Sequence, residues 1–479
     1  MYISFSNSPQ PPADAGAPPP GPAAGPPGGG PVYTSSSNPP QPPADAGAPP
    51  PAPAPAPRGV RTVSSTVVAL GVVSMLTDIS SESVAAILPL YITGVLGLST
   101  IAFGFIDGLY QGVSAVVRIA GGYASDRYDR PKWVAFVGYA LAAAARIGLL
   151  FASGFAAITA VITADRIGKG IRTAPRDALI TAASDPEILG RSFGVHRTLD
   201  NIGAAIGPLI AFIILLVVPD GFHIVFVASL AFALIGVLIL GLVVPNIRSR
   251  AHDEKTVTDA APPAAPARTK FDWAAVTTGP MRRVLAAAGI LGLLTIGDGF
   301  IYLVLQSRGD FAAQWFPLLY VGTNVAFLAF AIPLGRLSDR VGRARVFVFG
   351  HVSLLAAYLI AATPIPDIAA TILCLALLGG FYASTDGVLA ALAAQLTPPE
   401  ARGTGIAAAQ TVVALTRFVA ATGFGLLWYL LGPESSMLIV AGLLAIAIPL
   451  VALLLRPYLS VTRPLVATAG PGAPEVSDP

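Results

Sequence analysis

Cysteine, charge and lysine are all scarce in this chain of 479 residues. The single cysteine, Cys374, sits in an apolar run, which excludes disulfides and cysteine-based metal sites. Charged residues make up 11% of the chain, against about 25% in soluble domains, and 54% of residues are hydrophobic. A mean hydropathy of +0.71 excludes a water-soluble globular protein and leaves a polytopic helical membrane protein. Lysine occurs only at Lys132, Lys169, Lys255 and Lys270, and the excess of arginine and alanine points to a GC-rich bacterial genome. A net charge of +3 specifies no class of partner. There is no nucleotide loop, metal-ligand cluster or nucleophile–base constellation, so no enzyme activity, cofactor or nucleic-acid partner is expected.

The first 58 residues are different material. SNSPQPPADAGAPPP at Ser6–Pro20 returns as SNPPQPPADAGAPPP at Ser37–Pro51. Pro, Gly and Ala dominate, and such a segment cannot bury a core, so a disordered tail is expected, with a polyproline ligand for an adaptor as the alternative. It lacks the basic start and apolar centre of a signal peptide, so no cleavage is expected. Residues 459–479 read as a second disordered tail.

Twelve apolar spans of roughly the 20 residues a bilayer needs fit the rest: 63–93, 100–120, 133–151, 155–180, 190–217, 222–244, 284–306, 312–334, 345–363, 368–395, 402–431 and 435–456. Alternate short connections hold one basic residue, Arg308, while the other set is rich in arginine. Positive-inside asymmetry then places both termini in the cytoplasm of a multi-pass protein of the inner membrane. The expected domains are a bundle over 59–245, a cytoplasmic linker over 246–281 and a bundle over 282–458.

The halves repeat one another. GGYASDRYDRPK at Gly121–Lys132 returns as GRLSDRVGRAR at Gly335–Arg345, with Gly122, Asp126, Arg127 and Arg130 matching Gly335, Asp339, Arg340 and Arg343 at an offset of 213 residues. Pro186-Glu187 and Pro399-Glu400 fall at the same offset. Duplicated halves are how secondary transporters build a central site with two gates. G-x-x-x-D-R-x-x-R between the second and third spans resembles the signature of the major facilitator superfamily. That resemblance covers about 60–458. It implies an all-α membrane protein, twelve transmembrane helices in two pseudo-symmetric six-helix bundles. It also implies that these eight residues form a cytoplasmic gate, a charged latch between the second and eleventh helices where small glycines let backbones approach. Asp129 stands where the family usually has glycine.

The fourth span, ITADRIGKGIRTAPRDALI, carries the most charge. Asp165, Lys169, Arg172 and Arg176 are spaced to share one helix face, with Arg166 and Asp177 on a neighbouring one. Counted from Phe155, Asp165 lies ~15 Å deep at 1.5 Å per residue, near the bilayer midplane. Charges there cost about 2.5–3.5 kcal/mol each and need partners or a wet cavity. Two readings stand: a network that only holds helices together, and a cationic wall or proton relay. Arg166, Lys169, Gly170, Ala174 and Pro175 resemble the helix-four motif of proton-driven exporters, with Lys169 replacing the usual Gln. The resemblance implies that Arg166 tunes a proton-carrying carboxylate. Pro175 is expected to kink or break the helix.

In the fifth span, His196, Asp200, Gly203 and Gly207 share a face, and Gly203–Pro208 resembles the helix-five antiporter motif, implying that Gly203, Gly207 and Pro208 pack helix five. His196 reads as a hydrogen-bonded interface histidine, and Asp200 as a partner of Arg197 or helix four. Asp78 and Glu82 in the first span are an i, i+4 pair that either takes up protons, binds a cation or neutralises the helix-four arginines. Asp107 and Arg118 lie in the second span, and Asp298, Asp386 and Arg417 are the clearest charges of the second half. Together, Asp78, Glu82, Asp107, Asp165, Arg166, Lys169, Arg172 and Asp200 are the expected proton-coupling and substrate cavity. The expected function is a monomeric, proton-coupled exporter of a small molecule. The alternatives are transport of a metal ion, metal chelate or organic anion, and a non-transporting sensor or scaffold.

Overall fold

A computed structural model of the protein describes residues 62–128, 130–247, 279–309, 311–363, 368–398 and 401–459, with the side chains of 119–129 excepted. The expected tails, all but the edges of the linker, Asp129, and the second Pro-Glu pair lie outside the described residues. Among those described there is no strand.

The helices are α1 (Ser65–Ala85, resuming over Leu88–Leu90 and widening to a π turn at Tyr91–Val95), α2 (Thr100–Tyr128), α3 (Pro131–Phe151), α4 (Gly154–Ala182), α5 (Leu189–Val217) and α6 (Phe222–Leu242). The second half holds α7a (Gly279–Gly292), α7b (Asp298–Gly309), α8 (Pro317–Val341), α9 (Arg343–Ala362), α10 (Ile368–Gln395), α11 (Arg402–Leu431) and α12 (Pro433–Leu454). Ten of these spans are long and apolar enough to cross a membrane. The two expected spans outside that set have identifiable causes. The 29 residues of α4 are interrupted by charge, and the seventh span, expected to be continuous over 284–306, is broken between Gly292 and Asp298. Its first half also starts at Gly279, inside the expected linker.

A break at membrane depth exposes backbone groups that lipid cannot satisfy. Here Tyr358 of α9 meets them: its hydroxyl accepts from the Ile296 N–H at 2.8 Å and donates to the Leu294 carbonyl at 3.1 Å. Tyr358→Phe keeps the ring and strands both backbone groups, so a loss of about 1–3 kcal/mol is expected. Thermal unfolding of the purified protein measures it, and an unchanged midpoint would show that the break supports itself. Pro175 does not break the helix: α4 runs through it without ending.

Pairing follows the duplication. In the first half α1 packs on α5 and α6, α4 on α2 and α3, and α3 on α6. Six helices later, α7a packs on α11 and α12, α10 on α8 and α9, and α9 on α12. The halves meet along α2–α11 and along the symmetry-related α5–α8. Large apolar side chains such as Ile213, Leu238 and Ile446 are exposed on the periphery, as lipid-facing residues must be.

Both seams are closed at the face bearing the 96–99 and 311–316 connections, the far face. Thr100 donates to the Gly425 carbonyl at 3.0 Å, Phe212 meets Trp315 at 5.4 Å, and Phe300 stacks with Phe103 at 4.7 Å and Phe424 at 4.9 Å. The opposite, loop face carries the two repeated charged connections. There Gly342, with φ of 104°, makes the turn between α8 and α9 in a conformation that L side chains rarely adopt.

Candidate functional site: a charged cavity between the halves

A cavity enclosing about 1380 Å³ of empty space, part of it open to solvent, lies between the halves. Its first-half wall holds Asp78, Arg118, Lys169, Arg172, Arg176, Asp177, Arg197 and Asp200, and its second-half wall Phe347, His351, Phe381, Asp386, Gln410 and Arg417. Arg172 lies 3.8 Å from Asp78, and Arg176 lies 3.0 Å from Asp177 and 3.9 Å from Asp200. Arg118 of α2 donates to Gln410 of α11 at 2.6 Å, and Arg417 of α11 lies 4.0 Å from Asp386 of α10. Six basic side chains thus face four carboxylates, an excess of two positive charges. Among the described residues the Lys169 ammonium has no ion pair or hydrogen bond.

The expected single cavity is in fact three environments. Asp78, Lys169, Arg172 and Asp200 line the space just described. Asp165 and Arg166 do not: both are buried in a sealed network inside the first half. Asp165 is held by Arg146 of α3 at 2.9 Å and by the Arg166 Nε at 2.8 Å, Arg146 also donates to Ser80 at 3.2 Å, and Ser80 meets Ser229 of α6 at 2.8 Å. The Arg166 guanidinium lies 3.7 Å over the Tyr110 ring. Arg146 was missed as a site residue. An arginine in the middle of an otherwise apolar third span was the available signal.

Glu82 and Asp107 occupy a third place, a smaller cavity toward the far face with about 410 Å³ of empty space, together with Tyr110, Asp298 and Tyr320. Gln111 borders both cavities. Glu82 is 7% exposed, and its carboxylate has no hydrogen bond or ion pair among the described residues. One carboxylate oxygen of Asp107 is buried without a partner, and Asp298 accepts from the Tyr382 hydroxyl at 2.7 Å. A side chain at Gly297, in the α7 break, would collide with the Asp107 carboxylate.

On α5, a Cβ at Gly203 would stand 2.9 Å from the Met75 Cα and one at Gly207 2.8 Å from the Ser83 nitrogen, so α1 and α5 touch backbone to backbone there, and Pro208 is buried beside them. His196 differs from expectation: it is buried at 3% exposure with both ring nitrogens unpartnered. Of the latch residues, Asp339 and Arg343 pair at 3.2 Å, and Arg343 donates to the Ala391 carbonyl at 3.1 Å. Arg130 and Arg340 are exposed. No atom lies within 4 Å of a Cβ built on Gly335, so the close backbone approach expected at that glycine is absent, because the seams close at the other face. The side chains of Gly122, Asp126 and Arg127 lie outside the described residues.

The family model described as Major Facilitator Superfamily matches residues 70–323 and 309–475. An uncharacterized MFS-type transporter of Methanocaldococcus jannaschii is 30% identical over 407 residues, covering 81% of this chain and 96% of that protein. An uncharacterized protein of Mycobacterium tuberculosis is 28% identical over 291 residues, 60% of this chain and 69% of that protein. Among solved structures, the nucleoside transporter NupG superposes with a TM-score of 0.69 at 15% identity, covering 82% of this chain and 99% of that one. A POT family transporter in complex with 5-aminolevulinic acid gives 0.67 at 15% identity, covering 83% and 97%. The structural likenesses are too remote in sequence to speak for more than the fold. The family match and the archaeal relative go further, and with two matched halves around a central cavity they lead to one conclusion: this chain belongs to the Major Facilitator Superfamily of membrane transporters.

Proposed function

We propose that the protein is a proton-coupled secondary transporter of the inner membrane that exports a small molecule by alternating access, acting as a monomer. The loop face, where the basic residues concentrate, is cytoplasmic in this reading, as are both termini. The cavity is closed at the far face and therefore opens toward the cytoplasm. Export is supported by the resemblance of Arg166–Pro175 and Gly203–Pro208 to exporter and antiporter motifs.

The observation that carries proton coupling is Glu82. A buried carboxylate that no ion pair or hydrogen bond ties down can change its charge during a transport cycle without breaking a structural contact. Its surroundings are Asp107 and Tyr110 of α2, Asp298 of α7b and Tyr320 of α8, with Arg166 of α4 the cation whose field it shares. Asp165 is a poorer carrier because two arginines hold it, and Asp200 is engaged by Arg176. The metal reading loses support, since Asp78 and Glu82 lie in different cavities and no group of metal-binding side chains occurs among the described residues.

The test uses proteoliposomes with a trapped pH dye and a panel of solutes. Glu82→Gln is expected to lose at least about 90% of the net flux driven by a pH gradient while keeping solute exchange, which needs the alternating motion but no change of charge. Full gradient-driven flux in Glu82→Gln would move the coupling role to Asp200 or Asp107.

A further inference from the structure

We infer that a file of ordered water runs along one face of α2 from the central cavity to Glu82, with Gln111 positioning it where the two cavities meet. Along this file the proton leaves Glu82 for the loop face. The inference rests on the reading of Glu82 as the proton carrier.

Two observations support it. The first is where the cavities touch. Gln111 is the only residue among those described that lines both the central cavity and the smaller one holding Glu82. The second is a set of polar atoms that the protein leaves unsatisfied. The Asp107 Oδ2, the Tyr110 hydroxyl and the Gln111 Oε1 are each buried with no hydrogen-bond partner in the protein. Residues 107, 110 and 111 are spaced i, i+3 and i+4, so they share one face of α2, and all three line the smaller cavity. Buried polar groups are almost always paired, and where the protein offers no partner ordered water supplies one. The smaller cavity, with about 410 Å³ of empty space, has room for it at ~30 Å³ per molecule.

The side chains suit the task. A phenol hydroxyl both donates and accepts, so Tyr110 continues a hydrogen-bonded file of water. Its ring lies 3.7 Å beneath the Arg166 guanidinium, which holds it in place. The Gln111 amide donates from nitrogen, accepts at oxygen and does not titrate, so it orders water without holding the proton itself. In the transfer, the Glu82 carboxyl gives its proton to the adjacent water. Each water then accepts one proton and passes one on, and a hydronium emerges in the central cavity. Glu82 is left as a carboxylate and the file is left neutral. At the other end Phe103 lines the smaller cavity and stacks on Phe300 at 4.7 Å, an apolar plug that continues no hydrogen bond to the far face.

Two measurements on the full-length protein test this without any solute. The first is brief X-ray radiolysis in heavy-oxygen water, with the protein in lipid nanodiscs and the label read by mass spectrometry. Tyr110 is expected to take up label about tenfold faster than Tyr358, whose hydroxyl is satisfied by backbone groups. Gln111→Leu, which keeps the bulk and removes the amide, is expected to slow labelling of Tyr110 at least about fivefold and leave Tyr358 unchanged. The second is proton entry into proteoliposomes holding a trapped pH dye, with valinomycin and potassium to carry the compensating charge. The parent protein is expected to be tight. Phe103→Ala should remove the plug and leak protons at least about tenfold faster, and adding Gln111→Leu should bring the leak back to the parent's level. A helix-packing role for Gln111 would not move a proton leak. Tyr110 labelled no faster than Tyr358, labelling unaffected by Gln111→Leu, no leak in Phe103→Ala, or a leak that Gln111→Leu does not reduce would each overturn the inference. The two readings fail separately. Labelling and leak as described, with full gradient-driven flux in Glu82→Gln, would keep the water file and take the carrier role from Glu82. Loss of that flux in Glu82→Gln, with Tyr110 unlabelled, would overturn the water file alone.

Discussion

Asp165→Asn is expected to cost about 3–5 kcal/mol of folding stability, the largest effect of any single polar substitution in the membrane core of this protein. Asp165 is the one carboxylate between Arg146 and Arg166, and all three side chains are no more than 5% exposed. The isosteric amide keeps the volume but leaves two guanidinium groups buried with no carboxylate in contact. Water does not reach this network as it reaches the central cavity, so neither arginine can be rescued by solvation. Arg166→Ala should be milder. It removes the contact with Tyr110, but it leaves a balanced pair of Arg146 and Asp165. Asp200→Asn should be milder still, because Asp200 borders the cavity and Arg176 keeps Asp177 at 3.0 Å. Folded yield and thermal unfolding should therefore rank Asp165→Asn worst, then Arg166→Ala, then Asp200→Asn. If Asp165→Asn unfolds at the temperature of the parent protein, the sealed network is not a structural element and the carboxylate becomes a candidate for proton transport again.

Gly108→Leu is expected to lower transport at least ~10-fold by holding the far face open. A Cβ at this position would stand 2.8 Å from the carbonyl oxygen of Phe418 and 2.8 Å from its ring, so α2 and α11 close on one another only because nothing projects from α2 there. Overpacking of this kind costs roughly 1–3 kcal/mol. The penalty applies to the state in which the α2–α11 seam is shut and is relieved when the halves separate. It therefore shifts the population toward the form open at the far face by about one to two decades. A cysteine placed at Phe103, part of the aromatic seal with Phe300, reports the shift: a membrane-impermeant maleimide added from the far face should label it in Gly108→Leu and much more slowly in the parent. The native Cys374 is buried and hydrogen-bonded to the Ala357 carbonyl at 3.6 Å, so it adds little background. Equal labelling of both proteins, with normal transport, would show that the seam does not open.

Some features of this protein were legible because they depend on composition and spacing alone. A run of apolar residues long enough to cross a bilayer must satisfy its backbone internally and so is mostly helical, and the spans at α3, α5, α6 and α9–α12 read directly from the chain. The repeat of Gly122–Arg130 at Gly335–Arg343 made the duplication visible, and the packing pairs of the second half follow those of the first. The GxxxG spacing of Gly203 and Gly207 marked a face of close backbone approach without naming α1 as its partner.

Other features needed the tertiary structure, since helical periodicity says which residues share a face but not what covers it. Asp165 and Lys169 are one turn apart on a common face, yet Asp165 is covered by Arg146 of α3 while Lys169, nearer the loop face, reaches the cavity. Asp78 and Glu82 read as one pair, but four residues are ~6 Å along a helix axis. That is enough to put each in a separate cavity, with Gln111 of α2 bordering both. The break in α7 was invisible because Leu293–Gly297 is as apolar as its flanks. The Tyr358 hydroxyl, from a helix some sixty residues later, supplies two of the hydrogen bonds the backbone gives up there. The sequence by itself therefore determined the class, the spans, the duplication and the charge on α4, all consequences of burying apolar length and paying for buried charge. Which of those charges face water, and which face only one another, was decided by helix packing, because the partner that neutralises a buried charge comes from a distant part of the chain.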